Sequence, residues 1–340
     1  MKKRIILTVL AGMFSVLAYS QTPANDPHWQ FVWGDEFDFF NSNIWHKGTD
    51  PHSQNDTVTS RPENVFVSNG NLVLRLLKED YIHNGRLYHY TNGVVINYNP
   101  GMQFGYIEAS MKLPHGRGLW PSFWTWKLHP NASNEAEIDI FEMKGERPSN
   151  SITTNLHTCF PDRDLYPKPQ IDPNCIEDYY LKIDLSNFSY TSWNTYAIEW
   201  TPTKFIWYVN GIVVRNSPNP GIIDPVRIIM GTGLDKNVEN LTTSFPADML
   251  VDYVRVYRLK CDKSTVVTQI PNFNTYNYAV KKSISLSSTT TIPQNSHISL
   301  RATDFIELKD GFVMPLGAAL YLDVAPCEMV KNLKDGYSFE

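Results

Sequence analysis

Between Gln21 and about Leu259, apolar and polar residues alternate in short segments, and no window keeps a helical apolar period over three turns. Phe205-Ile206-Trp207-Tyr208-Val209 meets Ile212-Val213-Val214 across Asn210-Gly211. Asn64 to Leu76 alternates in the same way about Asn69-Gly70. Asn-Gly is the dipeptide that two-residue hairpin turns favour, because both of its residues tolerate positive φ. Such a chain buries its apolar faces only by stacking sheet on sheet, so the pattern predicts an all-β domain, a large antiparallel sandwich. With 42% hydrophobic residues the chain does not read as disordered.

After Cys261 the character changes. Trp disappears, and apolar pairs recur at Ile284/Leu286, Ile298/Leu300, Ile306/Leu308 and Leu320/Leu322, with Ser and Thr between them. The spacing reads as coils of uneven length, which predicts a small β-rich module of stacked short strands, a short solenoid. It carries no titratable cluster or aromatic platform, so a spacer or attachment role is the plain reading and carbohydrate binding the sharper one. The expected organisation is a signal peptide over residues 1–20, a sandwich over 21–260 and the module over 261–340, with the boundary at 258–262.

Lys2, Lys3 and Arg4 precede an apolar run from Ile5 to Leu17, and Ala18 and Ser20 place small residues before Gln21, the grammar of a secretory signal peptide. The run is too short to span a bilayer. Its removal moves the net charge from −5 to −8. That balance disfavours nucleic acid and anionic membrane as partners. The expected location is outside the cell, at the cell surface or in the periplasm. In an oxidising compartment the four cysteines have three possible pairings, of which Cys159 with Cys175 and Cys261 with Cys327 is the natural one. Four free thiols are the alternative; zinc is not expected, since no CxxC pair or His cluster accompanies them.

The most informative segment is Glu137-Ile138-Asp139-Ile140-Phe141-Glu142. Alternation puts Glu137 and Asp139 on one strand face, but strict parity would turn Glu142 toward the isoleucines. A β-bulge between Asp139 and Glu142 restores parity and aims all three acids the same way. Three carboxylates on one face repel, so at least one should hold its proton near neutral pH. Glycoside hydrolysis needs that division: an ionised carboxylate to attack and a protonated one to donate. An acidic solvent face on an edge strand is the plain alternative. Against it stand Trp120, Trp124 and Trp126 just upstream, all of even parity, whose flat rings suit the apolar faces of sugars.

With these residues in view, the chain resembles glycoside hydrolase family 16, the concave jelly-roll glycanases that include the laminarinases. Its bulged signature, Glu-x-Asp-x-x-Glu, stands here as Glu137, Asp139 and Glu142. Matching words surround it: Trp33 to Phe37, Phe104 to Ala109, Lys112 to Pro114, Gly118 to Pro121, Tyr196 to Pro202, Trp207 to Gly211 and Met249 to Tyr257. The resemblance runs from about residue 28 to 258. It implies a secreted, retaining, endo-acting glycosidase with Glu137 as nucleophile, Glu142 as general acid/base and Asp139 tuning the pair. It further implies Trp120, Trp124, Trp126 and His157 as substrate-facing residues, although a structural histidine is the alternative for His157. No cofactor is needed for the chemistry. A structural calcium is implied at the positions matching Glu36, Gly70 and Asp252. The expected partner is a polysaccharide, and the expected state a monomer.

Where many relatives have an Arg, this chain has Ser110, which reads as a basic contact missing from the strand beside the cleft. The loop from Lys127 to Asn134 and the Cys159–Cys175 insertion also depart from the family pattern. β-1,3-glucan is the first choice of substrate. Mixed-linkage glucan or a red-algal galactan, transglycosylation, and a non-catalytic glycan-binding protein are the alternatives. The C-terminal module resembles, more weakly, short modules near the ends of exported proteins of the Bacteroidetes type.

Overall fold

The computed structural model describes residues 29–49, 58–97, 101–127, 137–143, 149–157, 181–201, 204–220, 222, 225–235, 243–259, 264–269, 275–277, 281–292, 294 and 297–324. The expected signal peptide, the four cysteines, residues 128–134 and the Cys159–Cys175 insertion lie outside the described residues. Among those described there is no α-helix, and no helix is long and apolar enough to cross a membrane.

Strands β1 (Trp29–Asp35), β2 (Trp45–Lys47), β3 (Val58–Ser60), β4 (Val65–Ser68), β5 (Asn71–His83) and β6 (Arg86–Asn92) come first. Next are β7 (Val94–Asn97), β8 (Gly105–Lys112), β9 (Leu119–Lys127), β10 (Glu137–Glu142), β11 (Ser151–His157) and β12 (Leu181–Asp184). Strands β13 (Asn194–Trp200), β14 (Lys204–Val209), β15 (Ile212–Pro218), β16 (Val226–Leu234) and β17 (Ala247–Leu259) complete a β-sandwich. One sheet has ten strands, ordered β15-β14-β13-β8-β17-β5-β6-β3 with β1 on β17 and β4 on β5; the other has seven, ordered β12-β11-β10-β9-β16-β7-β2. Strand β1 runs antiparallel to β17 with Trp29 opposite Leu259.

The hairpins form where the alternation breaks at Asn-Gly. Asn69 and Gly70 have φ of 52° and 71°, Asn210 and Gly211 of 50° and 73°, so both residues of each turn sit in the left-handed region that matches strand twist. Alternation then divides each strand. In β9, Leu119, Pro121, Phe123 and Thr125 point inward and are buried, while Trp120, Ser122, Trp124 and Trp126 stay partly exposed on the outer face. Phe123, Ile138, Phe141 and Leu156 from the seven-stranded sheet meet Ile107, Tyr196, Ile198, Trp207 and Met249 from the ten-stranded one. The Phe141 and Tyr196 rings lie 4.6 Å apart. Each such large side chain removed from water contributes roughly 1.5–3 kcal/mol.

Strands β18 (Ser264–Gln269), β19 (Thr275–Asn277), β20 (Lys281–Thr291), β21 (His297–Leu308) and β22 (Ala319–Val324) form a third sheet, and its pairings are parallel. Ile284 stands opposite Ile306 and Leu286 opposite Leu308, while Ile298 pairs with Leu320 and Leu300 with Leu322. From β19 to β21 and β21 to β22, and from β20 to β21 beyond Lys281, the chain advances twenty-two residues per coil, whereas from β18 to β20 it advances nineteen as far as Val267. The coils are of uneven length, as the sequence spacing predicts, and the later ones approach a regular repeat in which neighbouring apolar pairs in sequence belong to different stacks.

Candidate active site

Strand β10 lies between β9 and β11 near the middle of the seven-stranded sheet. Against β11, Glu137 pairs with His157 and Asp139 with Asn155, then the register jumps so that Glu142 pairs with Thr153. Against β9, Asp139 pairs with Trp124 and Glu142 with Ser122, again across a shift. The parity argument required a bulge between Asp139 and Glu142, and one is there. It leaves Ile138, Ile140 and Phe141 in the core and turns Glu137, Asp139 and Glu142 to the face of the indoles.

The acids differ in surroundings. Asp139 is almost wholly buried, with 1% of its side chain exposed, against 13% for Glu137. Glu142 accepts the Trp120 indole N–H on Oε1 at 3.0 Å. Trp120, expected only as a sugar-facing ring, therefore also holds one acid in place. Trp124 and Trp126 stand edge to face, with centroids 6.1 Å apart. His157 Nε2 lies 3.3 Å from Asp139 Oδ2 and 3.9 Å from Glu137 Oε1. Asn155 Oδ1 accepts the Leu156 N–H, which fixes the amide so that its Nδ2 faces His157 Nε2 at 2.9 Å as a donor.

Glu137, Asp139 and His157 bring one ligand atom each within 4.8 Å of one another, a donor set suited to a divalent ion. The positions implied for calcium are elsewhere. Val251 pairs with Leu72, just past the Asn69-Gly70 turn, and Asp35 pairs with Val254. The register thus brings Glu36, Gly70 and the exposed Asp252 to one end of neighbouring strands. Asp252 falls at a bulge between Val251 and Tyr253, and the Glu36 carboxylate is held by Arg255 at 2.7 and 2.8 Å, leaving its backbone oxygen for other use. Carbonyls and one carboxylate fit a hard cation.

Sequence reasoning missed two parts of the site. Gly231 and Gly233 of β16 stand opposite Ser122 and Trp120, so the floor beside Glu142 is bare backbone. A Cβ on Gly231 would come within 2.9 Å of the Val94 side chain. Behind the acids, the Trp207 indole N–H donates to the Asp139 carbonyl at 3.0 Å. One expectation is corrected. Ser110 lies on β8, between β13 and β17 in the ten-stranded sheet, and shares its outward face with Tyr106 and Glu108, while Ile107, Ala109 and Met111 fill the core. It faces away from the acids, so an Arg at that position would not reach them.

A fold of this kind, with two or more carboxylates on a bulged strand beside an aromatic row, defines a glycoside hydrolase. The family described as "Glycosyl hydrolases family 16" matches residues 52–231, and the chain belongs to that family. It is similar to a beta-glucanase of Rhodothermus marinus, 28% identical over 283 residues that cover 74% of this chain and 93% of that protein. Among solved structures it resembles the endo-beta-1,3-glucanase of Pyrococcus furiosus, with TM-score 0.57, 26% identity, and 68% of this chain and 95% of that one covered. The laminarinase catalytic domain of Thermotoga maritima shares the fold, with TM-score 0.58 at 24% identity over 68% of this chain and 99% of that one.

Proposed function

We propose that this chain is an exported, retaining endo-β-glucanase acting on β-1,3-glucan. The observation that carries the reading is the bulge, which turns Glu137, Asp139 and Glu142 onto one face alongside Trp120, Trp124 and Trp126. The similarity to a beta-glucanase and an endo-beta-1,3-glucanase supports the substrate class.

In the first step a Glu137 oxygen bonds to the anomeric carbon as the glycosidic C–O bond breaks, and Glu142 gives its proton to the departing oxygen. In the second, water attacks that carbon, Glu142 takes the water's proton, and the ester to Glu137 is released. Retention through such an intermediate requires carboxyls about 5 Å apart. The Trp120 N–H steers Glu142 toward the leaving group. Asp139, buried between them, hydrogen-bonds and tunes the pair.

The test is Glu137→Gln assayed on a panel of β-1,3-glucan, mixed-linkage glucan and red-algal galactan, with product sizing and NMR of the first-formed anomer. The expected result is release of oligosaccharides from β-1,3-glucan with retained configuration, falling by roughly 10⁴-fold or more in the variant. Unchanged turnover in Glu137→Gln would sink the assignment of the nucleophile. Galactan as the sole substrate cleaved would sink that of the glycan. A structural calcium held by the Glu36 and Gly70 carbonyls and the Asp252 carboxylate completes the proposal. Chelation should then lower the melting temperature without changing the chemistry of the acids; identical melting with and without chelator would refute it.

A further inference from the structure

The bulge that makes the site costs the sheet two regular ladder contacts. Asp139 pairs with Asn155 and Glu142 with Thr153, so Ile140 and Phe141 together face the single residue Thr154. A bulge locally disrupts the ladder, and a buried backbone acceptor left unmet there would cost about 1–3 kcal/mol. A one-residue slip would close the gap and restore the ladder. It would also turn Glu142 into the core.

Two side chains of the opposite sheet fill the gap. The Trp207 indole N–H donates to the Asp139 carbonyl at 3.0 Å. Arg215 Nη1 donates to the Thr154 carbonyl at 3.1 Å and to Thr154 Oγ1 at 2.7 Å. Trp207 and Arg215 are cross-strand partners on β14 and β15, and the guanidinium lies 4.4 Å over the indole ring. A second register shift, between Trp207 and Tyr208, is what puts Arg215 opposite Trp207 and inside the sandwich. Arg215 is 9% exposed, and burial pulls its guanidinium down to about 10, which leaves it charged at neutral pH. A buried cation stacked on an indole and bonded to a carbonyl is costly in a core, and it stands here where β10 breaks its ladder with β11.

We propose that Trp207 and Arg215 are positioning residues that clamp the two bulge-flanking carbonyls and so hold Glu142 in register as the acid/base of the reaction. This rests on the glycosidase reading above, and adds to it the device that fixes the acid relative to the nucleophile. Glu137 and Asp139 stay paired with His157 and Asn155 upstream of the gap. Loss of the clamp therefore falls on proton donation more than on nucleophilic attack.

The experiment compares wild type, Trp207→Phe, which keeps the ring and removes the donor, and Arg215→Lys, which keeps the charge and a donor. Each is assayed on two aryl glycosides of a β-1,3-glucan oligosaccharide, one with a phenol and one with a dinitrophenol leaving group. On the phenyl substrate Trp207→Phe should lose kcat by about 10²-fold with KM little changed, the scale of a misplaced catalytic group. On the dinitrophenyl substrate, which needs no acid, it should lose less than about tenfold. Arg215→Lys should recover most of the phenyl activity relative to Arg215→Met. Equal losses on both substrates, or none, overturn the proposal.

Hydrogen exchange reads the bulge without substrate. The Glu142 and Thr153 amides should exchange faster in Trp207→Phe while those of β16 do not change, and unchanged exchange at the bulge overturns the clamp. If wild type cleaves neither glycoside, the substrate reading fails and the exchange result still decides the clamp. Should Trp207→Phe not fold, Thr154→Val carries the same comparison, since it removes one Arg215 partner and keeps the shape of the residue.

Discussion

Glu108 and Glu142 are buried to a similar degree, 6% and 9% exposed, on strands of the same sandwich, and their surroundings could hardly differ more. Glu108 points out of the ten-stranded sheet, and each of its oxygens accepts a phenol: Tyr106 at 3.1 Å and Tyr253 at 2.8 Å. Around it Trp29, Tyr106, Tyr208 and Tyr257 pack ring on ring. Glu142 takes one indole N–H and stands in a row with two further acids. A buried acid whose lone pairs are met by neutral hydroxyls within its own cluster is part of the fabric. Acids placed together on one strand face, where they repel, are what the proposed glycosidase chemistry uses.

The comparison breaks first on activity. Glu142→Ala should lower kcat on β-1,3-glucan by about 10²–10⁴-fold with the melting temperature nearly unchanged, while Glu108→Ala should leave kcat within about twofold. On urea unfolding the order reverses, with Glu108→Ala losing about 1–3 kcal/mol because two buried hydroxyls lose their acceptor. Equal effects of both substitutions in both assays would remove the distinction.

A smaller effect sharpens it. Desolvation first, then the Glu108 charge and its hydrogen bonds, push the Tyr106 and Tyr253 phenols well above their ordinary value. In the unfolded chain these phenols ionise near pH 10, whereas in the fold they keep their protons. The stability they contribute is therefore complete below about pH 10 and is lost progressively as the pH rises beyond it. Glu108→Gln should flatten that alkaline fall, read by urea midpoints at pH 9 to 11; a parallel shift at every pH would contradict the mechanism.

Much of the site was legible because its logic is local. The parity of Glu142, opposite to that of Glu137 and Asp139, demanded a bulge, and the shared parity of Trp120, Trp124 and Trp126 put the three indoles on one face. The Asn-Gly turns at Asn69 and Asn210 were legible for the same reason, whereas Asn84-Gly85, the third of the kind, passed unnoticed. What escaped depends on contacts distant in sequence. Trp207 reads as an ordinary core indole until Asp139, sixty-eight residues away, is brought to it. Ser110 was assigned to the wrong sheet, since strand alternation gives two faces without saying which face meets the substrate. The stacking of the later coils was hidden because two stacks interleave in sequence.

The pairing of Trp29 with Leu259 has an engineering consequence. Residues facing each other on adjacent strands have Cα atoms about 5 Å apart, so the described strands of the sandwich start and finish side by side. Used as a cassette, it would attach at a single point. Spliced into a surface loop of an unrelated host, it would require little of that host beyond two neighbouring ends, and the host's own termini would remain free.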